Sequence, residues 1–94
     1  MIEIRHTETS LGGIFEAWQE GVQVGEMTYR RPEPERMVID HTQVFDGYEG
    51  KGIARQMVLA AVDFARAKGR KIVPLCSYAR AVLTRTDEYT DIIG

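Results

Sequence analysis

Across the segment Gly47-Tyr48-Glu49-Gly50-Lys51-Gly52-Ile53-Ala54 the spacing of apolar residues changes from two to about 3.6. A chain with that change must hand over from strands to a helix at this point. Upstream, residues 14–19 and 22–29 are rich in aromatic and β-branched residues and are separated by Glu20-Gly21, the pattern of a β-hairpin. In the second run Val22 and Val24 set one phase and Met27 and Tyr29 another, so a β-bulge is expected at Gly25. After the turn Arg31-Pro32-Glu33-Pro34-Glu35, residues 37–45 read as a further strand. Its expected faces are Ile39, His41, Gln43 and Phe45 on one side and Val38, Asp40, Thr42 and Val44 on the other. Residues 2–6 are expected to add an edge strand.

Downstream, Ile53, Ala54, Met57, Val58, Ala61, Val62 and Ala65 form one apolar stripe, with Arg55, Asp63 and Arg66 off it. This helix should end at Lys68-Gly69, where glycine suits the left-handed C-terminal position. Residues 71–75 read as a short buried strand, completing a strand–helix–strand unit that normally closes as a right-handed parallel crossover. Ser77 is placed to cap a second helix over 78–83, and residues 87–93 to form a last helical turn. The expected fold is α+β: an antiparallel meander, one β-α-β unit and short C-terminal helices.

Ninety-four residues bury one core, so the expectation is a single domain spanning 1–94. The longest apolar run, Met57 to Val62, is far below the roughly 20 residues of a membrane-spanning helix, and the first residues lack an apolar signal core. Cys76 is the one cysteine, which rules out an internal disulfide and a multi-cysteine metal site and fits a reducing compartment. No metal and no membrane are expected, and the cytoplasm is the expected location.

The net charge of −2 conceals an uneven layout. Residues 1–50 carry four basic and ten acidic residues, a balance of −6, whereas residues 51–86 carry eight basic residues against Asp63 alone, a balance of +7. The second half is where an anionic ligand would go, the alternative being a solvated charged face. The glycine segment marks where. Glycines allow successive N–H groups to face one concavity, and a helix N-terminus adds unpaired donors and a positive dipole end, a combination suited to phosphate. Lys51 and Arg55 in a first helical turn oppose the macrodipole by about 0.3–1 kcal/mol each, a cost that a bound anion reverses. Two nucleotide motifs fail here. A P-loop needs Ser or Thr where Gly52 stands, and a dinucleotide fingerprint starting at Gly50 needs glycine where Arg55 stands.

From Thr42-Gln43-Val44 through Gly50-Lys51-Gly52-Ile53-Ala54 the chain resembles the acetyl-CoA-binding motif of the GNAT (Gcn5-related) N-acetyltransferases, in which a strand leads through a short glycine-containing loop into a long helix. Gly52 and Ala54 match the end of that motif, and Tyr48, Gly50 and Ile53 match common choices within it. Glu49 departs from it, standing where Gln or Arg is usual. Gly13 with Phe15, Gly25-Glu26 with Tyr29, His41-Thr42 with Val44, and the strand end Ile72-Val73-Pro74-Leu75-Cys76 resemble a small subfamily, extending the likeness from Gly13 to about Ile93. The resemblance implies that the strand carrying Thr42 and Val44 splays from the strand over 71–75, so that pantetheine inserts between them. It also implies that Glu49, Gly50, Lys51, Gly52, Ile53 and Ala54 cradle the pyrophosphate, and that Lys51, Arg55, Arg80 or Arg85 meets the 3′-phosphate. Larger family members place helices after their first strand on the acceptor side, and this chain runs directly into a hairpin instead. The implied site is open at its thioester end, completed by a partner chain, a second copy, a macromolecular substrate or nothing.

Acetyl transfer from a thioester needs a neutral amine and a proton source for the departing thiolate. The resemblance implies direct transfer from acetyl-CoA to the amine, the usual course in the family. The resembling subfamily also places a cysteine where Cys76 stands, which makes an acetyl-Cys76 intermediate the alternative, with His41 as base if the two side chains converge and Tyr78 as proton donor to the thiolate. Each has a structural alternative: a small buried residue for Cys76, a hydrogen-bonded strand histidine for His41, and packing for Tyr78. The expected function is transfer of an acetyl group from acetyl-CoA to a small amine or a lysine. The alternative is a non-catalytic CoA-binding module or sensor. A nucleic-acid-binding role is disfavoured, because Tyr78 is the only aromatic between Phe64 and Tyr89 and the overall charge is acidic.

Overall fold

All residues, 1–94, are described in the computed structural model. Strands β1 (Ile2–Glu8), β2 (Gly12–Gln19), β3 (Val22–Arg30) and β4 (Arg36–Val44) form an antiparallel meander. Helix α1 (Ile53–Lys68) then returns the chain to β5 (Lys71–Pro74), which lies parallel to β4, and α2 (Ser77–Thr84) follows. The five strands lie in the sheet in their sequence order, which gives the expected α+β arrangement.

Local chemistry explains the joints. Glu20 and Gly21 both have positive φ, at 49° and 80°, the turn whose twist matches that of two flanking strands. Gly69 closes α1 at φ 67° and returns its N–H to the last carbonyls. One face of the sheet packs on α1. Phe15, Ala17, Met27, Met37 and Ile39 meet Met57, Val58, Ala61 and Val62 in a core that also takes Ala79, Val82 and Leu83 of α2. Gly25 permits the close approach, since a Cβ there would lie 3.1 Å from the Gln43 carbonyl oxygen and 3.2 Å from Met57 Cε.

Two bulges revise the strand phases. In β3 the extra residue is Val24, one position before Gly25, because Ala17 pairs with Gly25 and Trp18 with Gln23. In β4 Thr28 pairs with His41 and Tyr29 with Ile39, which leaves Asp40 as the extra residue. The slip at Asp40 inverts the expected faces beyond it. Thr42, opposite Met27, and Val44, opposite Gly25, share the helix-covered face with Ile39, while His41 and Gln43 lie on the open face. The C-terminal part also differs from expectation. Cys76, not Ser77, is the N-cap residue of α2, and Ser77 is already helical. Residues 87–93 form turns rather than a helix. Ile93 makes a parallel bridge to Ile72, and Arg66 holds the segment by donating to Asp91 Oδ1 at 3.0 Å and to the Glu88 carbonyl at 2.8 Å. The bond to the Glu88 carbonyl satisfies a backbone acceptor that the short turns leave unpaired. No helix is long and apolar enough to cross a membrane.

Candidate functional site

β4 and β5 pair only from Arg36–Lys71 to Ile39–Pro74. Beyond that point the Ile39 carbonyl accepts from both the Leu75 and the Cys76 N–H, each at 3.0 Å, and the chain turns away into α2. The last five residues of β4 therefore have β3 on one side and no strand on the other. Their backbone direction follows from Phe45, whose N–H donates to the Val24 carbonyl at 2.9 Å. By alternation, the N–H and C=O groups of Thr42 and Val44 point into the unpaired side. A strand edge opened in this way accepts an extended ligand through main-chain hydrogen bonds.

Cys76 stands at the head of this gap. Its Sγ lies 3.4 Å from Thr42 Oγ1, and the side chain is half-buried at the positive end of α2. Partial burial pushes the thiol pKa up. The Thr42 hydroxyl and the backbone amides of Ala79, Tyr78 and Thr42 outweigh it, so the pKa lies below the ordinary thiol value. Tyr78 is in the first turn of α2, with 39% of its surface exposed. Arg80 sits at the rim, donating from Nε to the Pro74 carbonyl at 3.3 Å.

At the other end of the gap, Gly47, Gly50 and Gly52 all have positive φ, at 92°, 76° and 77°. No side chain caps α1 at Gly52, and no acidic residue stands in its first turn, so the first N–H groups remain available. Lys51 and Arg55 are exposed beside them. Glu49 turns back on its own loop, its Oε1 accepting from the Gly47 N–H at 2.9 Å.

The structure thus brings Thr42, Val44 and Cys76 to one gap, with Tyr78 in the first turn of α2 and with the loop through Glu49 to Gly52 leading into Ile53 to Arg55, the first turn of α1. It does not bring His41 to Cys76. His41 lies on the open face, with Nε2 3.3 Å from Glu26 Oε2, because the Asp40 bulge reverses the side on which it emerges. The convergence with Cys76 on which a base role for His41 depends is therefore absent. What sequence reading missed is the Thr42 hydroxyl as a partner of Cys76. Residues 40–44 carry no apolar phase to reveal the bulge that turns Thr42 inward.

A family model described as GCN5-related N-acetyl-transferase matches residues 14–92. Among solved structures, a GCN5-like N-acetyltransferase candidate of Staphylococcus aureus is 31% identical, with a TM-score of 0.73 over 98% of this chain and 87% of that one. An IAA acetyltransferase of Bacillus cereus shares the fold at 19% identity and a TM-score of 0.69, over 90% of this chain and 74% of its own. A GNAT family acetyltransferase of Elizabethkingia anophelis, solved with acetyl-CoA bound, shares it at 19% identity and a TM-score of 0.64, over 79% of this chain and 51% of that one. No curated protein matches the chain significantly.

Proposed function

The chain belongs to the GCN5-related N-acetyltransferase family, and on that premise we propose that it binds acetyl-CoA and transfers the acetyl group to an amine, a small molecule or a lysine. The observation that carries this reading is the gap beyond Ile39, which opens a strand edge beside an uncapped, glycine-led helix N-terminus. In this reading the backbone of Thr42 and Val44 pairs with pantetheine. The amides of Gly50, Gly52, Ile53 and Ala54 hold the pyrophosphate, and Lys51 and Arg55 neutralise phosphate charge.

Cys76 supplies the chemistry. Its thiolate attacks the thioester carbonyl, the bond from that carbon to the CoA sulfur breaks, and the CoA thiolate leaves with a proton from Tyr78 or water. A neutral amine then attacks acetyl-Cys76, the Cys76 thiolate departs, and the amine's surplus proton passes to solvent. The exchange costs little, because one thioester replaces another, and the amine captures the acetyl group as an amide.

Titration calorimetry with acetyl-CoA tests the binding. Saturable binding is expected, and none at millimolar ligand would overturn the proposal. Mass spectrometry after incubation with acetyl-CoA should show an added acetyl group that Cys76→Ala abolishes. A second reading, binding without turnover, is favoured by one observation: His41 faces away from Cys76, so no imidazole is at hand to deprotonate the amine. Binding with neither an adduct nor CoA release in the presence of amines would select it.

A further inference from the structure

The far edge of the sheet, β1, has a pattern that the acyl site does not use. Thr9 N–H donates to the Gly12 carbonyl, and β1 pairs with β2 without any register shift, so the backbone groups of Glu3, Arg5 and Thr7 point toward β2. Those of Ile2, Ile4, His6 and Glu8 point outward. Proteins usually blunt such an edge with proline, charged side chains (lysine especially), a bulge or brevity, because an open row of donors and acceptors recruits another strand. β1 runs seven residues, Ile-Glu-Ile-Arg-His-Thr-Glu, with no proline, lysine or bulge, which leaves charged side chains as its one such device. It carries two exposed charges of opposite sign on the open face, Glu3 and Arg5, whose side chains are 64% and 46% exposed. They already pair with each other within the strand, Arg5 Nε donating to Glu3 Oε2 at 3.1 Å, a pair that a second copy would exchange for two across the seam.

That spacing selects one partner. If β1 meets β1 of a second copy antiparallel about a two-fold axis perpendicular to the sheet, residues that face each other must lie on the same side of it. Centring the axis on Glu3 sets Glu3 against Glu3, and centring it on Arg5 sets Arg5 against Arg5. Centring it on Ile4 sets Glu3 against the second copy's Arg5 twice over, Ile4 against Ile4, and Ile2 against His6. In that register the outward groups of Ile4 exchange hydrogen bonds with their own symmetry mates, and those of Ile2 with those of His6. Glu3 and Arg5 then fall at the non-hydrogen-bonded positions, where facing side chains come closest. Ile4, half-buried in one copy, would be covered by the second copy's Ile4, and Ile2 by its His6.

We propose that this protein forms a two-fold homodimer through β1, with the pairing register centred on Ile4, joining two five-stranded sheets into one. Sedimentation velocity over a range of concentrations tests it. The expected result is a dimer for the native chain and a Kd at least roughly tenfold weaker for Glu3→Arg and for Arg5→Glu, since each single change sets like charges opposite at two places. The double variant Glu3→Arg with Arg5→Glu restores opposite pairs and should restore the dimer. An equimolar mixture of the two single variants should form the heterodimer that neither forms with itself. Circular dichroism confirms that each variant is folded. A native chain monomeric throughout the range overturns the proposal, as does a dimer whose affinity none of these exchanges alters.

Discussion

Glu8 gathers three partners that lie far apart in sequence. Arg70 donates to both its oxygens, Arg31 Nη1 donates at 3.3 Å, and the Tyr29 hydroxyl donates at 2.6 Å. With its proton committed to Glu8, Tyr29 accepts in turn from His6 Nε2 at 2.7 Å. Hydrogen bonding from Arg70 holds the Glu8 carboxyl far below its ordinary value of 4.5, at about 2, against the opposing effect of burial; Tyr29 and the charge of Arg31 act in the same direction as Arg70. A depressed carboxylate pKa stabilises the fold fully above pH 4.5, and that contribution is lost as pH falls from 4.5 toward 2. Glu8→Gln should therefore cost about 2 kcal/mol at pH 7, less than the full shift because the carboxylate keeps some solvent screening. Urea unfolding at pH 7 and pH 2.5 should show the difference between native and variant shrinking at the lower pH. At Cys76 the shift has the same sign and a chemical use: the lowered thiol pKa makes thiolate available at lower pH. The rate of alkylation by iodoacetamide should rise with a midpoint below that of free cysteine, and Thr42→Val should move that midpoint upward by removing the hydroxyl 3.4 Å from Sγ.

Among the elements, α1 has an N-terminus that depends on Gly52, held at φ 77° with no atom within 4 Å of where a Cβ would stand. Alanine there meets no clash, only the left-handed backbone, which costs about 1–2 kcal/mol. Gly52→Ala should thus lower unfolding free energy by about that much in urea, while the acetyl-CoA Kd measured by calorimetry rises roughly tenfold or more as the loop amides lose their aim. Both the helix and its glycine were legible in the sequence, because a long apolar stripe with period 3.6 and a C-terminal glycine leave little choice for residues 53–68. The hairpin was legible for the same reason, as Glu20-Gly21 offers the two left-handed positions its turn demands. Less was written into β4. The bulge at Asp40 sits among polar residues where either face is tolerable, and it is settled by contacts such as Thr28 Oγ1 to Asp40 Oδ1 at 2.8 Å, which no local pattern announces. The site inherits that gap in legibility: the loop could be read from residue types and Cys76 from the family resemblance, whereas the opposite orientations of Thr42 and His41 depend on the bulge. Glu8 and Arg70, separated by 62 positions, were out of reach for the same reason.

At the scale of the molecule, the sheet order sets the proposed acetyl-CoA site and the β1 edge apart. Three strand spacings separate β1 from β4, roughly 14–15 Å across the hydrogen-bonding direction, and the gap opens on the side of β4 away from β1. A dimer through β1 would then leave both gaps facing outward at the two ends of a continuous sheet, each completed within its own copy. Binding and association should be thermodynamically independent, since a coupling would require a ligand to distinguish monomer from dimer through a sheet that neither event rearranges. Arg5→Glu should therefore keep the acetyl-CoA Kd of the native chain within about twofold, although it weakens association. A ligand a hundredfold above its Kd adds about 2.7 kcal/mol to stability, enough to raise Tm by roughly 10–20 °C in a domain of this size. Thermal unfolding with and without acetyl-CoA should show the same increment for the native chain and for Arg5→Glu at matched concentrations. A markedly smaller increment in the variant would mean that the second copy contributes to the acyl site, and the separation argued from the strand order would fail.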